Sequence, residues 1–438
     1  MGGDIALWML GLLILFIFLG VHIGIALAIC SGVGVWLMLG SFEAAVSILG
    51  NTAYEAIRKD VFAVIPLFVL MGDFISRSGA ASDLYRICDR SLKRLPGRLA
   101  IATIAGNTIF AAVTGVSIAA AAAFSRIAYP EMMKLGYRQT FALGAVAGSA
   151  CLGMLIPPSV LLIVWAILTE MSVGALFIAG IVPGIVLATL FGGYVVIAAA
   201  RDPSIAPPLE ESRISTAHLE LRSELVGGFG ILALIFLVIG GIWTGQFTPT
   251  EAAGFGAIGA FLIGIAKGMR GREILRAIFQ AGRTTAPIMF LLIAAQMYSR
   301  LLAIGGAVNY IQELFFGLGA EPWMLVALMM IAWVVLGMLI DSVSIILLTV
   351  PIFAPIALAL GIDPIAFAIF GILVIEAGLL TPPFGLLVYT VKGSVADQSA
   401  TLTKIFAGST PYFALILVAA LIVLLFPALA TWLPNLMF

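Results

Sequence analysis

The chain has 438 residues, 62% hydrophobic and only 10% charged, with 22 basic and 22 acidic side chains that cancel to a formal net charge of zero. An ordinary soluble domain carries roughly 25% charged residues, so this composition marks a membrane protein, and the balanced total gives no footing for a nucleic-acid partner. Cys30, Cys88 and Cys151 stand alone in or beside apolar segments and read as small packing residues, with neither a disulfide framework nor metal-ligand spacing.

The first apolar stretch, Ile5 to Leu19, has no basic residue before it and reads as a retained span, since a secretory signal wants a positive n-region. Spans are expected near 5–21, 23–40 and 61–79. An amphipathic arm follows at 80–95, with Leu84, Ile87, Cys88, Leu92 and Leu95 on one face and Asp83, Arg86, Asp89, Arg90, Lys93 and Arg94 on the other, so it should lie along the membrane surface. Region 98–128 is apolar but interrupted at Thr114-Gly115-Val116-Ser117. Arms of roughly 13–15 residues are too short to cross comfortably, which predicts a re-entrant hairpin. Segment 139–170 is too long for one straight span and is broken at Pro157-Pro158, because proline lacks an N–H and clashes with the preceding turn. A span at 173–200 closes the first half.

The polar connection 201–223, with Pro203, Pro207 and Pro208, is the natural linker between a first repeat (1–200) and a second (224–438). Beyond it the order recurs: spans near 225–243, 248–266 and 284–303, an amphipathic arm at 305–319 and a second interrupted hairpin at 322–360 around Asp341-Ser342-Val343-Ser344. A broken span at 364–395 and a closing span at 411–433 follow. Ser117 and Ser342, Pro130 and Pro355, Gly153 and Gly378, and Pro157-Pro158 and Pro382-Pro383 all stand 225 residues apart. The fold class is thus an all-α polytopic membrane protein of two repeats, each with five crossings and one hairpin that returns to its own side. Five is odd, so the repeats should be inverted. On that topology 19 of the 22 Lys and Arg fall on one side and only Arg58, Lys59 and Arg300 on the other. The rich side is then cytoplasmic, and both termini lie outside.

Helix breaks survive in a membrane only where they are buried in protein or line a polar cavity, so two hairpin tips and two broken helices should meet at a binding site. Carbonyls freed before the double prolines and hydroxyls at the tips suit a hard cation such as Na⁺. The candidate ligands are Thr114, Gly115, Ser117, Gly153, Ile156, Asp341, Ser342, Ser344, Gly378 and Thr381. Half-helices that begin at the tips and after the breaks point positive dipole ends inward, which favours an anionic substrate group against Ser117, Pro157, Pro158, Ser159, Ser342, Thr381, Pro382 and Pro383. Asp341 could join a cation site or cap the helix after it. Glu376 is a coupling candidate, because a carboxyl deep in an apolar segment is costly. Each hydroxyl could instead bond back to its own helix. Asp73 and Glu251 lie nearer span ends, where snorkelling or capping is expected, and His22 and His218 form no metal or catalytic constellation.

These stretches resemble the large membrane subunit of TRAP (tripartite ATP-independent periplasmic) transporters, within the ion transporter superfamily. The resemblance is carried by Thr114 to Ser117, Pro130-Glu131-Met132 to Tyr137, Leu152 to Ser159, and Leu176 to Gly184. Further on it rests on Phe247 to Ala253, Ile340-Asp341-Ser342, Gly361 to Pro364 and Thr381 to Leu386. Val116 departs from it, since related chains often carry a second small or hydroxyl residue there. The resemblance implies an elevator-type transporter driven by a Na⁺ gradient in the bacterial inner membrane. A transport domain (about 96–200 and 320–438) would slide against a scaffold (about 1–79 and 224–304), with 80–95 and 305–319 as surface arms. It also implies two partners, a small four-helix membrane subunit and a periplasmic substrate-binding protein, and substrates among small organic acids such as C4-dicarboxylates, keto acids and sialic acid.

Three alternatives remain at this level. A stand-alone cation-coupled organic-anion transporter of the same superfamily would need no binding protein. A channel would not concentrate its substrate. A membrane-embedded enzyme would need a nucleophile–base pair or metal ligands, which two remote histidines and three scattered cysteines do not offer.

Overall fold

The computed structural model describes residues 2–92, 95–207, 221–307, 310, 313 and 321–437, with no strand among them. The linker at 208–220 and most of the expected arm at 305–319 lie outside the described residues. Helix α1 (Gly2–Phe18) turns at Gly20, whose left-handed φ of 76° favours a residue without a Cβ, into α2 (Ile23–Leu39).

Helix α3 (Phe42–Arg58) lies where the hydropathy pattern leaves a connection. Ser41 caps it by accepting the Ala44 N–H at 3.3 Å. Ala45, Leu49 and Ala56 bury one face, while Glu43, Asn51, Glu55 and Arg58 are exposed on the rest. A window that averages hydropathy cancels those two faces, so only a helical-period reading finds this element.

Helix α4 (Val64–Arg77) bends by 68° at Gly79 into α5 (Ala80–Ser91), which covers most of the first expected arm. Leu84 and Cys88 are buried as their spacing predicts, but Asp83 is buried too, contrary to its place on the polar face. It is ion-paired with Lys267, and both side chains are 8% exposed. A buried charge is tolerable only when paired in this way.

Helices α6 (Arg98–Thr114) and α7 (Ser117–Lys134) form the first hairpin. At 17 and 18 residues its arms are longer than expected, the second because the link at 129–134 stays helical. Helix α8 (Gln139–Ala150) ends in a 3-10 turn at Cys151–Met154, and the chain breaks until α9 (Val160–Thr169). Helix α10 (Val173–Arg201), with 29 residues, closes the first half.

In the second half α11 (Leu221–Ile235) runs on through a π turn, and α12 (Pro249–Ala266) starts at a capping box of Thr248 and Glu251. Helix α13 (Gly271–Gly305) is one continuous rod of 35 residues, longer than the span expected at 284–303. Then come α14 (Pro322–Gly337) and α15 (Ser342–Ala359), the second hairpin, followed by the broken pair α16 (Pro364–Gly378) and α17 (Leu386–Ser394), and α18 (Leu402–Leu425). Helices α7 and α15 begin and end 225 residues apart, and α8 and α16 begin 225 apart.

Among the described residues six helices are each long and apolar enough to cross a membrane, or seven if the bent α4–α5 pair counts as one span. Small residues set the close approaches expected of helices in lipid. A Cβ on Gly378 would lie 2.8 Å from Gly337 Cα, and one on Gly148 would run into the Tyr412 ring. Trp165 of α9 and Trp333 of α14, centroids 6.1 Å apart, fill the core between the two halves with Phe367 and Phe370 of α16.

Candidate functional site

Each hairpin tip is seated against a helix break. Gly115, at a left-handed φ of 63°, ends α6, and a Cβ there would collide with the Pro158 carbonyl. The Gly115 carbonyl accepts the Val160 N–H at 3.2 Å, which pins the first tip to the start of α9. Gly153 backs the same tip: a Cβ would lie 2.9 Å from Ser117 Cα. In the second half the Phe384 N–H donates to the Met338 carbonyl at 3.2 Å, so the second tip is pinned to its own break. Both Pro–Pro bonds are cis.

Between the tips lies one carboxylate. Ser117 Oγ donates to Glu376 Oε2 at 2.5 Å, and Ser342 Oγ donates to Glu376 Oε1 at 2.8 Å. Glu376 is 1% exposed. The Cys151 thiol, 225 residues earlier, donates to the Glu376 carbonyl at 3.6 Å. Equivalent positions of the two halves therefore touch each other at this point.

The tips also border a cavity of about 550 Å³. Ser117, Asp341, Ser342 and Ser344 line one wall, and His22, Val69, Thr284 and Leu291 line the facing one. The remaining predicted residues sit behind the tips. Thr114 Oγ1 donates to the Phe110 carbonyl at 2.9 Å and Thr381 Oγ1 to the Gly378 carbonyl at 2.6 Å, so both hydroxyls bond back to their own helices. Ser159 bridges its break, donating to the Met154 carbonyl at 2.5 Å and accepting the Leu162 N–H at 3.3 Å as the cap of α9. Ile156, Pro157 and Pro158 are buried, whereas Pro382 and Pro383 are exposed at the surface. Asp341 caps α15, with Oδ1 accepting the Ser344 N–H at 3.0 Å and Oδ2 the Ser344 hydroxyl at 2.5 Å.

Two polar lining residues, His22 and Thr284, are not among the site residues expected from sequence. His22 Nδ1 accepts the Gly24 N–H at 3.3 Å, which caps α2 and leaves Nε2 to carry the ring proton. Its only signal was position, a histidine between two spans in a chain that has two histidines.

A multi-pass helical bundle with paired hairpins and broken helices around a largely apolar cavity that carries a few hydroxyls and one carboxylate has the architecture of a membrane permease. The family described as "Tripartite ATP-independent periplasmic transporter, DctM component" matches residues 10–429, and the chain belongs to that family of large TRAP permeases. The chain is 34% identical to the C4-dicarboxylate TRAP transporter large permease protein DctM of Pseudomonas aeruginosa, over 87% of this chain and 88% of that one. It is 30% identical to the ectoine TRAP transporter large permease protein TeaC of Halomonas elongata, over 98% of both. Among solved structures it shares its fold with the Alcanivorax borkumensis YdaH transporter, at a TM-score of 0.56 and 15% identity, covering 90% of this chain and 89% of that one.

Proposed function

We propose that this permease imports a small organic acid across the bacterial inner membrane by Na⁺ symport, with a transport domain that slides as an elevator. It would work with a small four-helix membrane subunit and a periplasmic substrate-binding protein. The observation that carries the reading is the convergence of both hairpin tips on Glu376 beside a cavity that also has a wall from α1, α2, α4 and α13. Hydroxyl oxygens at the tips suit Na⁺, which is cargo here, and the N-termini of α7 and α15 suit a carboxylate. Relatives named as C4-dicarboxylate and sialic acid transporters favour that class.

The positive-inside distribution puts the α1–α2 turn on the cytoplasmic side with both termini periplasmic, so the cavity would open to the cytoplasm. Contacts on the opposite side support that state. Lys59 pairs with Glu170 at 3.3 Å, and Gln296 donates to the Ile167 carbonyl at 3.2 Å, which joins the expected scaffold to the expected transport domain. Uptake by proteoliposomes holding the complete complex, with candidate organic acids, tests the reading. Accumulation is expected only with an inward Na⁺ gradient and the binding protein. Accumulation without the binding protein would favour a stand-alone transporter, and flux that never exceeds equilibrium would favour a channel.

A further inference from the structure

Glu376 is one acid held by two hairpins that sequence places far apart. Its two oxygens are taken separately, Oε2 by Ser117 and Oε1 by Ser342. Each serine is the first residue of its hairpin's second arm, α7 or α15, and the two are repeat partners. At the position that repeats Glu376 stands Cys151, whose thiol meets the Glu376 carbonyl and adds no second carboxylate. The two tips thus share one acid where the repeat would allow each its own.

A serine hydroxyl has one proton and two acceptor lone pairs. At both tips the proton is spent on Glu376, so the lone pairs of both oxygens are turned away from the carboxylate. Those oxygens belong to residues that line the cavity. To stay ionised, a carboxylate this deeply buried needs a compensating positive charge, and two hydroxyl dipoles supply only part of it. A cation at either tip would supply the rest, through the serine.

We propose that Glu376 is a positioning residue that couples two cation sites, one at each hairpin tip: its carboxylate aims both serine oxygens as acceptors and serves as their shared counter-charge. The two sites then act as a unit, and loss of either serine frees one carboxylate oxygen and disturbs the hydroxyl that remains. This inference rests on the reading of the tips as Na⁺ sites.

The test is Na⁺-dependent thermal stabilisation of the purified full chain in detergent, with choline as the control cation. Wild type should show a cooperative Na⁺ titration. Ser117→Ala and Ser342→Ala should each raise the half-saturating Na⁺ concentration by roughly tenfold, the scale of a hydrogen bond to a charged group. The double variant should be little worse than either single one, since coupled residues are not additive. Glu376→Gln, which keeps the side-chain volume and removes the charge, should raise the midpoint similarly and abolish cooperativity. Losses that multiply in the double serine variant, or a wild-type titration in Glu376→Gln, would overturn the proposal. The serine variants decide the matter even where Glu376→Gln does not fold. A wild type with no Na⁺ response at all would instead remove the Na⁺ reading of the tips.

Discussion

Asp341 shows how a residue can be picked out by sequence while its part is set by geometry. Its place in an apolar segment allowed either a cation ligand or a helix cap, and the structure has it capping α15 through Oδ1, while Oδ2 accepts the Ser344 hydroxyl. Asn is as good an N-cap as Asp, whereas Ala is not. Asp341→Asn should therefore hold wild-type thermal stability, and Asp341→Ala should lose about 1 kcal/mol. Equal losses in the two variants would show that the charge, and not the cap, sustains the tip. Asp83 teaches the complementary lesson. Its helical register put it on the polar face, but the partner that permits its burial, Lys267, is 184 residues further along the chain. No local pattern can announce such a partner.

At the scale of elements, the helices most legible in the sequence were those with one consistent environment. Uniformly apolar spans, the bend into α5 and the Pro and Gly interruptions follow from local chemistry. Helix α3 did not, because half of it faces away from the core. The ends of elements are joined by a polar network equally absent from hydropathy. The Tyr129 hydroxyl, at the end of α7, donates to Asp397 at 2.6 Å, and Gln139, which starts α8, donates to Asp397 at 3.0 Å and to Ser399 Oγ at 2.7 Å. Lys404 of α18 reaches Gln139 Oε1 at 2.6 Å. The Tyr129 hydrogen bond, followed by those from Ser399, pulls the Asp397 carboxyl down from 3.8 to about 2. A depressed carboxyl contributes stability above its unfolded value and loses it as pH falls from about 3.8 through about 2. Thermal melts of Asp397→Asn should thus fall below wild type at neutral pH, with the gap closing as both approach pH 2. A gap that stays constant with pH would mean that the Asp397 charge is not what the network uses.

At the scale of the whole molecule, the question is which side the cavity faces. Thr284 of α13 lines it, and the native cysteines Cys30, Cys88 and Cys151 are all buried and should give little background. A Thr284→Cys variant should react with a membrane-impermeant maleimide in inside-out vesicles and resist it in right-side-out ones. The reverse pattern would turn the proposed sidedness around. The charge split supports this orientation, and so does the Lys59–Glu170 pair on the far side. That pair is largely exposed, and a surface ion pair contributes at most about 1 kcal/mol, weak enough to open in the proposed elevator movement.

Taken by itself, the sequence determined where the chain is apolar enough to enter lipid, where it must break, and that both patterns occur twice. Those outcomes depend on each residue's own hydration cost and backbone freedom, which travel with the sequence. The tertiary structure alone decided that Ser117 and Ser342 meet on one carboxylate, that His22 and Thr284 face them across a cavity, and that the two double prolines differ, one buried and one exposed. Contacts of that kind depend on the packing of segments hundreds of residues apart, and equal spacing in the two halves does not fix how the halves close on each other. The double prolines and the serines were plain in the sequence; the acid that the serines share became visible only when both hairpins were folded against α16.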